Sequence, residues 1–151
     1  MKKIIKIIAA IMLVTIGCQI QPDQVRYGSD ACGYCHMTIV DKQHAAVLVT
    51  QKGRTEKFDA IECMVNHLKS EDENEYGLFL VTDFSAPGAM VDATEATYLI
   101  SLDIPSPMGA FLSGFADKNT ADNFRSKHAG RLYTWAELNT YFRNTDGIIS
   151  Q

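Results

Sequence analysis

Within six residues, Cys32-Gly33-Tyr34-Cys35-His36-Met37, the chain places two thiols, an imidazole and a thioether behind a basic, apolar N-terminus. Such soft donors together suit Cu(I), whereas a thioether adds little for zinc and almost nothing for magnesium or calcium. Cys35 and Met37 are the first two candidate ligands, because residues two apart face one side of an extended segment. Cys32 reads as a third ligand or a spare thiol, and His36 points to the opposite side of the same segment. Met108 lies in Pro107-Met108-Gly109. There the proline shapes the approach and the glycine allows close packing of the backbone, so the methionine is either a donor or an apolar plug. Cys63 and His67 are weaker candidates, one helical turn apart. Cys63 falls roughly 135° from the centre of its helix's apolar face, which suits a ligand, an interface residue or a small residue under a loop. His44, near a strand start, is open in either direction, and His128 in a helix's last turn suits the helix dipole.

Two other chemistries compete for these residues. If Cys18 is acylated, Cys32, Cys35 and Cys63 remain, an odd number for an oxidising compartment, so at least one thiol is free, metal-bound or paired with another molecule. Cys-Gly-Tyr-Cys is also the spacing of a thiol–disulfide redox motif. Such motifs follow a strand and open a helix, whereas here tether-like residues precede the motif and Thr38–Asp41 and Ala45–Thr50 read as strand. A Cys₃His structural zinc site from Cys32, Cys35, Cys63 and His67 has suitable local spacings, but it gives Met37 and Met108 no role. No Ser/His/Asp set, phosphate loop or supported carboxylate pair is evident, and the expectation is a binding protein rather than an enzyme.

The N-terminus sets the compartment. Met1 to Lys6 is basic, Ile7 to Ile16 is an uncharged run of signal-peptide length, and Gly17-Cys18 resembles a bacterial lipoprotein cleavage site. Residues 1–17 are therefore expected to be a lipoprotein signal peptide, with Cys18 as the lipidated residue and 18–29 as a polar tether. The anchor would hold the protein in the cell envelope facing the periplasm; Gln19 favours the outer membrane of a Gram-negative host. Loss of Lys2, Lys3 and Lys6 moves the formal charge from −4 to −7, which disfavours nucleic acid as a partner.

The elements that must position the donors are short. Ala45–Thr50 and Thr55–Phe58 form a hairpin about Gly53, and Asp59-Ala60-Ile61-Glu62 has the pattern of a capping box. The helix it opens buries Ala60, Ile61, Met64, Val65 and Leu68. Leu78–Asp83 is a strand. Beyond the Pro87-Gly88 turn, Thr97–Leu102 and Ala110–Phe115 repeat the strand pair, and Asp117 or Thr120 caps a second helix ended by Gly130. Arg131–Tyr133 is a strand, and Thr134-Trp135-Ala136-Glu137 opens a last helix. The expected class is α+β, a single domain over 30–144 with halves 30–83 and 90–144. Each half has a Met before the hairpin region (Met37, Met108) and a Phe before the helix (Phe58, Phe115), the marks of an internal duplication.

The motif Cys32-x-x-Cys35-His36-Met37 resembles the C-x-x-C-G-M signature of the NosL family, with His36 where glycine is usual. Gly53, Phe58-Asp59, Leu80-Val81-Thr82-Asp83, Pro107-Met108-Gly109-Ala110-Phe111, Gly130 and Trp135 extend the likeness over residues 30 to 142. The resemblance implies two similar β-β-α-β units with small antiparallel sheets packed against helices, and a Cu(I) site drawing on Met108 from the second half. It also implies delivery of copper for the copper–sulfide centre of nitrous oxide reductase, with a membrane-associated maturation complex and copper donor proteins as partners.

Overall fold

Strand β1 (Ala46–Thr50) pairs antiparallel with β2 (Thr55–Phe58), and helix α1 (Ile61–Leu68) leads through a 3₁₀ turn at Glu73–Glu75 to β3 (Tyr76–Thr82) on β1's other edge. A short strand not foreseen from the sequence, β4 (Met90–Asp92), extends this sheet beyond β3. The second unit repeats the path with β5 (Thr97–Ile100), β6 (Leu112–Phe115), α2 (Lys118–His128) and β7 (Arg131–Tyr133), followed by α3 (Trp135–Asn144). Its strand order, β6-β5-β7, is the same permutation as β2-β1-β3, with every pair antiparallel. The protein is thus α+β, with two related β-β-α-β units. This computed structural model describes residues 20–145, so the signal segment 1–17 and Cys18 lie outside the described residues. Among the described residues, no helix is long and apolar enough to cross a membrane.

The repeat is carried by the phenylalanines. Phe58 ends β2 and Phe115 ends β6, both are fully buried, and each stands three residues before the first helical residue, Ile61 or Lys118. The helix starts then diverge. Asp117 caps α2 by accepting the Thr120 N–H at 3.0 Å, and the Thr134/Glu137 capping box forms at α3. The box expected at Asp59/Glu62 does not form: the N-cap position is Ala60, without a side-chain cap. Asp59 stands one residue too early, and Glu62 turns inward to bond the second unit instead. The methionines are not equivalent either, since Met37 precedes β1 while Met108 lies inside the loop between β5 and β6.

The apolar face of α1 is buried as its periodicity requires, with Ala60, Ile61, Met64, Val65 and Leu68 all in the main core, and Cys63 is buried with them. The two units meet at Gly114 of β6. A Cβ there would lie 3.1 Å from Ile61 Cδ1 and 3.3 Å from Val81 Cγ2, closer than side chains normally pack. The glycine therefore lets the second sheet approach both α1 and the first sheet. The stretch read as a tether lies against β2 from Asp23 onward. The Asp23 N–H donates to Thr55 Oγ1 at 3.0 Å, Lys57 Nζ donates to the Gln24 carbonyl at 2.7 Å, and Val25 and Tyr27 pack on the core. These bonds run through main-chain groups, the Thr55 hydroxyl and Lys57, none of which leaves an apolar pattern in the sequence.

Candidate metal centre

The Cys32–Met37 loop is a tight turn rather than an extended strand. The Cys32 N–H donates to the Met37 carbonyl at 2.8 Å and the His36 N–H to the Cys32 carbonyl at 3.1 Å, between the bridged residues Ala31 and Thr38. The Gly33 N–H donates to the Lys57 carbonyl at 2.8 Å and pins the loop to β2. Below it, the Asp30 carboxylate is held by Lys57 Nζ at 2.6 Å and by Arg26, and these cations keep its pKa well below the usual carboxylate range.

Closing this turn puts His36 at φ 63°, the left-handed region, which costs a residue with a Cβ about 1–2 kcal/mol and a glycine nearly nothing. That is a physical reason for glycine to be usual at this position. His36→Gly should accordingly fold normally and change stability by less than about 1 kcal/mol, relief of strain offsetting the unfolded-state entropy of glycine. His36→Val should lose about 1–2 kcal/mol in chemical denaturation, because a β-branched residue tolerates this conformation worst. Equal stability of the two variants would contradict the strained-turn account.

With the segment turned, alternation no longer places Cys35 and Met37 on one face. Cys35 is half-buried against the core, while the side chain of Met37 is 47% exposed. The turn instead folds Cys32 and Cys35 over the flank of α1 that carries Cys63. Their three Sγ atoms all lie within 4.8 Å of one another, and Cys32 and Cys63 are buried. Sulfurs bound at about 2.3 Å to a single ion stand roughly 3.8–4.0 Å apart, so a small contraction closes this cluster around one ion.

Its electrostatics are asymmetric. The neighbouring Cys63 thiol favours charge on Cys32, as do the main-chain amides of Asp59, Cys35 and Tyr34, pulling Cys32 well below the usual thiol range against the cost of burial. Cys63 is pushed upward, first by the neighbouring Cys32 and then by burial. Burial raises Cys35, and the neighbouring charge on Cys32 adds to this. Asp59 behind the cluster is raised by burial first and by Cys32 second. Charge is thus favoured first at Cys32, and thiols of the cluster can deprotonate as a soft cation binds.

The histidines are engaged elsewhere. His67 Nε2 lies 3.1 Å from Glu56 Oε2 and 3.3 Å from the Tyr76 hydroxyl, with its ring against Phe58. His44 is buried, its Nδ1 3.0 Å from Asp41 Oδ2 and its Nε2 3.4 Å from Ser113 Oγ, so it belongs to a structural polar network. His128 ends α2 and stacks on Phe124. The side chain of Met108 is 44% exposed, but its N–H donates to Glu62 Oε1 at 3.2 Å, which brings its loop to the first turn of α1. Glu62 escaped the sequence reading because it passed for a capping residue. Cys63 was under-weighted because helix geometry alone does not show that a loop covers the helix flank.

The NosL family model matches residues 26–142. The chain belongs to the NosL family. It is 27% identical over 120 residues to the copper-binding lipoprotein NosL of Stutzerimonas stutzeri, across 74% of this chain and 63% of that protein. The chain therefore spans less than two thirds of the length of that curated relative. The crystal structure of the copper chaperone NosL from Shewanella denitrificans shares the fold, with a TM-score of 0.69 at 20% identity over 79% of this chain and 96% of that one. The first of these relatives is named as a copper-binding lipoprotein and the second as a copper chaperone.

Proposed function

We propose that the protein is a membrane-anchored, extracytoplasmic Cu(I) chaperone rather than an enzyme. In this reading Cys32, Cys35 and Cys63 hold the ion, with Met37 and Met108 supplying thioethers where it enters and leaves. The supporting observation is the cluster of three mutually close sulfurs with only Cys35 part-exposed. A buried pair retains the ion. The accessible thiolate and flexible, weakly bound thioethers can be replaced one at a time by a partner's donors, so copper changes hands without being released. Anchoring at Cys18 would hold the protein in the cell envelope facing the periplasm. Family membership supports delivery to the maturation pathway of the copper–sulfide centre of nitrous oxide reductase, with copper donor proteins upstream.

A Cys₃His zinc module is less well supported, because His67 is engaged by Glu56 and Tyr76 rather than turned to the thiols. The test is metal choice. Mature protein purified anaerobically under reducing conditions is expected to take up one Cu(I) per chain from a competing chelator and to bind zinc more weakly. A single zinc retained through purification and not displaced by Cu(I) would overturn the copper reading.

A further inference from the structure

Glu62 is an unusual residue to find inside this protein. Its side chain is 2% exposed, no lysine or arginine among the described residues pairs with it, and Oε2 has no hydrogen-bond partner among them. A carboxylate buried with only neutral donors costs stability compared with an apolar residue of the same size. The repeat does not require it either, since the position four after Phe115 that corresponds to Glu62 is Asn119, which is exposed.

What Glu62 does hold is the loop between β5 and β6. Oε1 accepts the Ser106 hydroxyl at 2.5 Å and the Met108 N–H at 3.2 Å, and Ser106 Oγ in turn accepts the Leu112 N–H at 3.3 Å. The matching connection in the first unit is a tight turn through Gly53, whereas this one runs from Ser101 to Phe111 and places both Gly109 and Phe111 at positive φ, 77° and 56°. A loop of this length and strain, elaborated in only one of two related units, needs an anchor to hold a single conformation. Its anchor is the residue next to Cys63.

We infer that Glu62 is a positioning residue that fixes the Met108 loop against the first turn of α1, so that the second unit presents its thioether to the thiol cluster. The inference rests on the proposed reading that Met108 takes part in copper binding. Glu62 touches no copper in this arrangement and acts only through the loop.

The experiment is a double-mutant cycle on the mature protein, with Cu(I) affinity read by chelator competition and the thermal midpoint followed in parallel. Met108→Leu and Glu62→Ala are each expected to weaken Cu(I) by about tenfold, the range seen when groups supporting metal ligands are lost. The double variant should be no weaker than either single, because both act through one donor. Glu62→Gln keeps an oxygen acceptor for Ser106 and Met108 and should restore affinity. Ser106→Ala, which removes one of the two donors, should reproduce part of the loss and carries the cycle should Glu62→Ala not fold. Equal weakening by Glu62→Ala (or Ser106→Ala) in the parent and in the Met108→Leu background would overturn the inference, as would no weakening at all. Unchanged affinity in Met108→Leu itself would remove Met108 from the site, and the inference with it, while leaving the thiol cluster standing.

Discussion

Cys63→Ser should lower Cu(I) affinity on the order of a hundredfold or more, about 2.8 kcal/mol, in a protein that still folds. Cys63 lies in the first turn of α1, with its N–H bonded to the Ala60 carbonyl at 3.1 Å, and its sulfur faces Cys32 and Cys35. Serine keeps the shape but offers a hard, protonated oxygen in place of a soft thiolate. A buried hydroxyl without a partner costs about 1–3 kcal/mol, so Cys63→Ala is the companion that separates lost copper binding from lost stability. Cys35→Ser should lose at least as much, because Cys35 is the part-exposed thiol through which the ion must pass. His67→Ala should leave Cu(I) affinity unchanged, its imidazole being bonded to Glu56. If Cys63→Ser binds as tightly as the parent while Cys35→Ser does not, the third thiol drops out and the site reverts to Cys35 with thioethers. A loss of metal on His67→Ala would instead revive the Cys₃His arrangement.

Where sequence reasoning reached this centre and where it stopped follows from the range of the interactions concerned. The Thr134/Glu137 box, the Gly53 hairpin, the apolar face of α1 and the Phe58/Phe115 repeat are set within a few residues of chain, and all are found as read. The donor types were also legible, because softness is a property of the residues themselves. Three features were not. The Cys32–Met37 turn depends on His36 entering the left-handed region, which an alternating pattern cannot announce for a residue other than glycine. The burial of Cys63 depends on that turn packing over α1, and the inward turn of Glu62 depends on Ser106 and Met108, 44 and 46 residues away. Each is a contact between distant segments. The odd number of thiols and the place of Cys63 well off the centre of its helix's apolar face were the sequence signals that pointed toward it.

The same three sulfurs make copper binding strictly dependent on redox state. In the absence of copper, mild oxidation is expected to close a disulfide between Cys32 and either Cys35 or Cys63, the three sulfurs lying within 4.8 Å of one another. Either product converts two of the three donors into a disulfide, which has no thiolate to offer a metal. The oxidised protein should therefore show one reactive thiol instead of three among Cys32, Cys35 and Cys63, a mass lower by two hydrogens, and a larger loss of Cu(I) affinity than any single Cys→Ser change. A reductant should restore binding, because cleaving the disulfide returns both thiols. Cu(I) loaded beforehand should protect the thiols, because a coordinated thiolate is a poorer nucleophile than a free one. For the proposed delivery role in an oxidising envelope, this is a reason to stay loaded, or to be reduced before each cycle. Oxidised protein that binds Cu(I) as tightly as reduced protein would show that these sulfurs are not the ligands, and Met37 with Met108 would become the donors left to test.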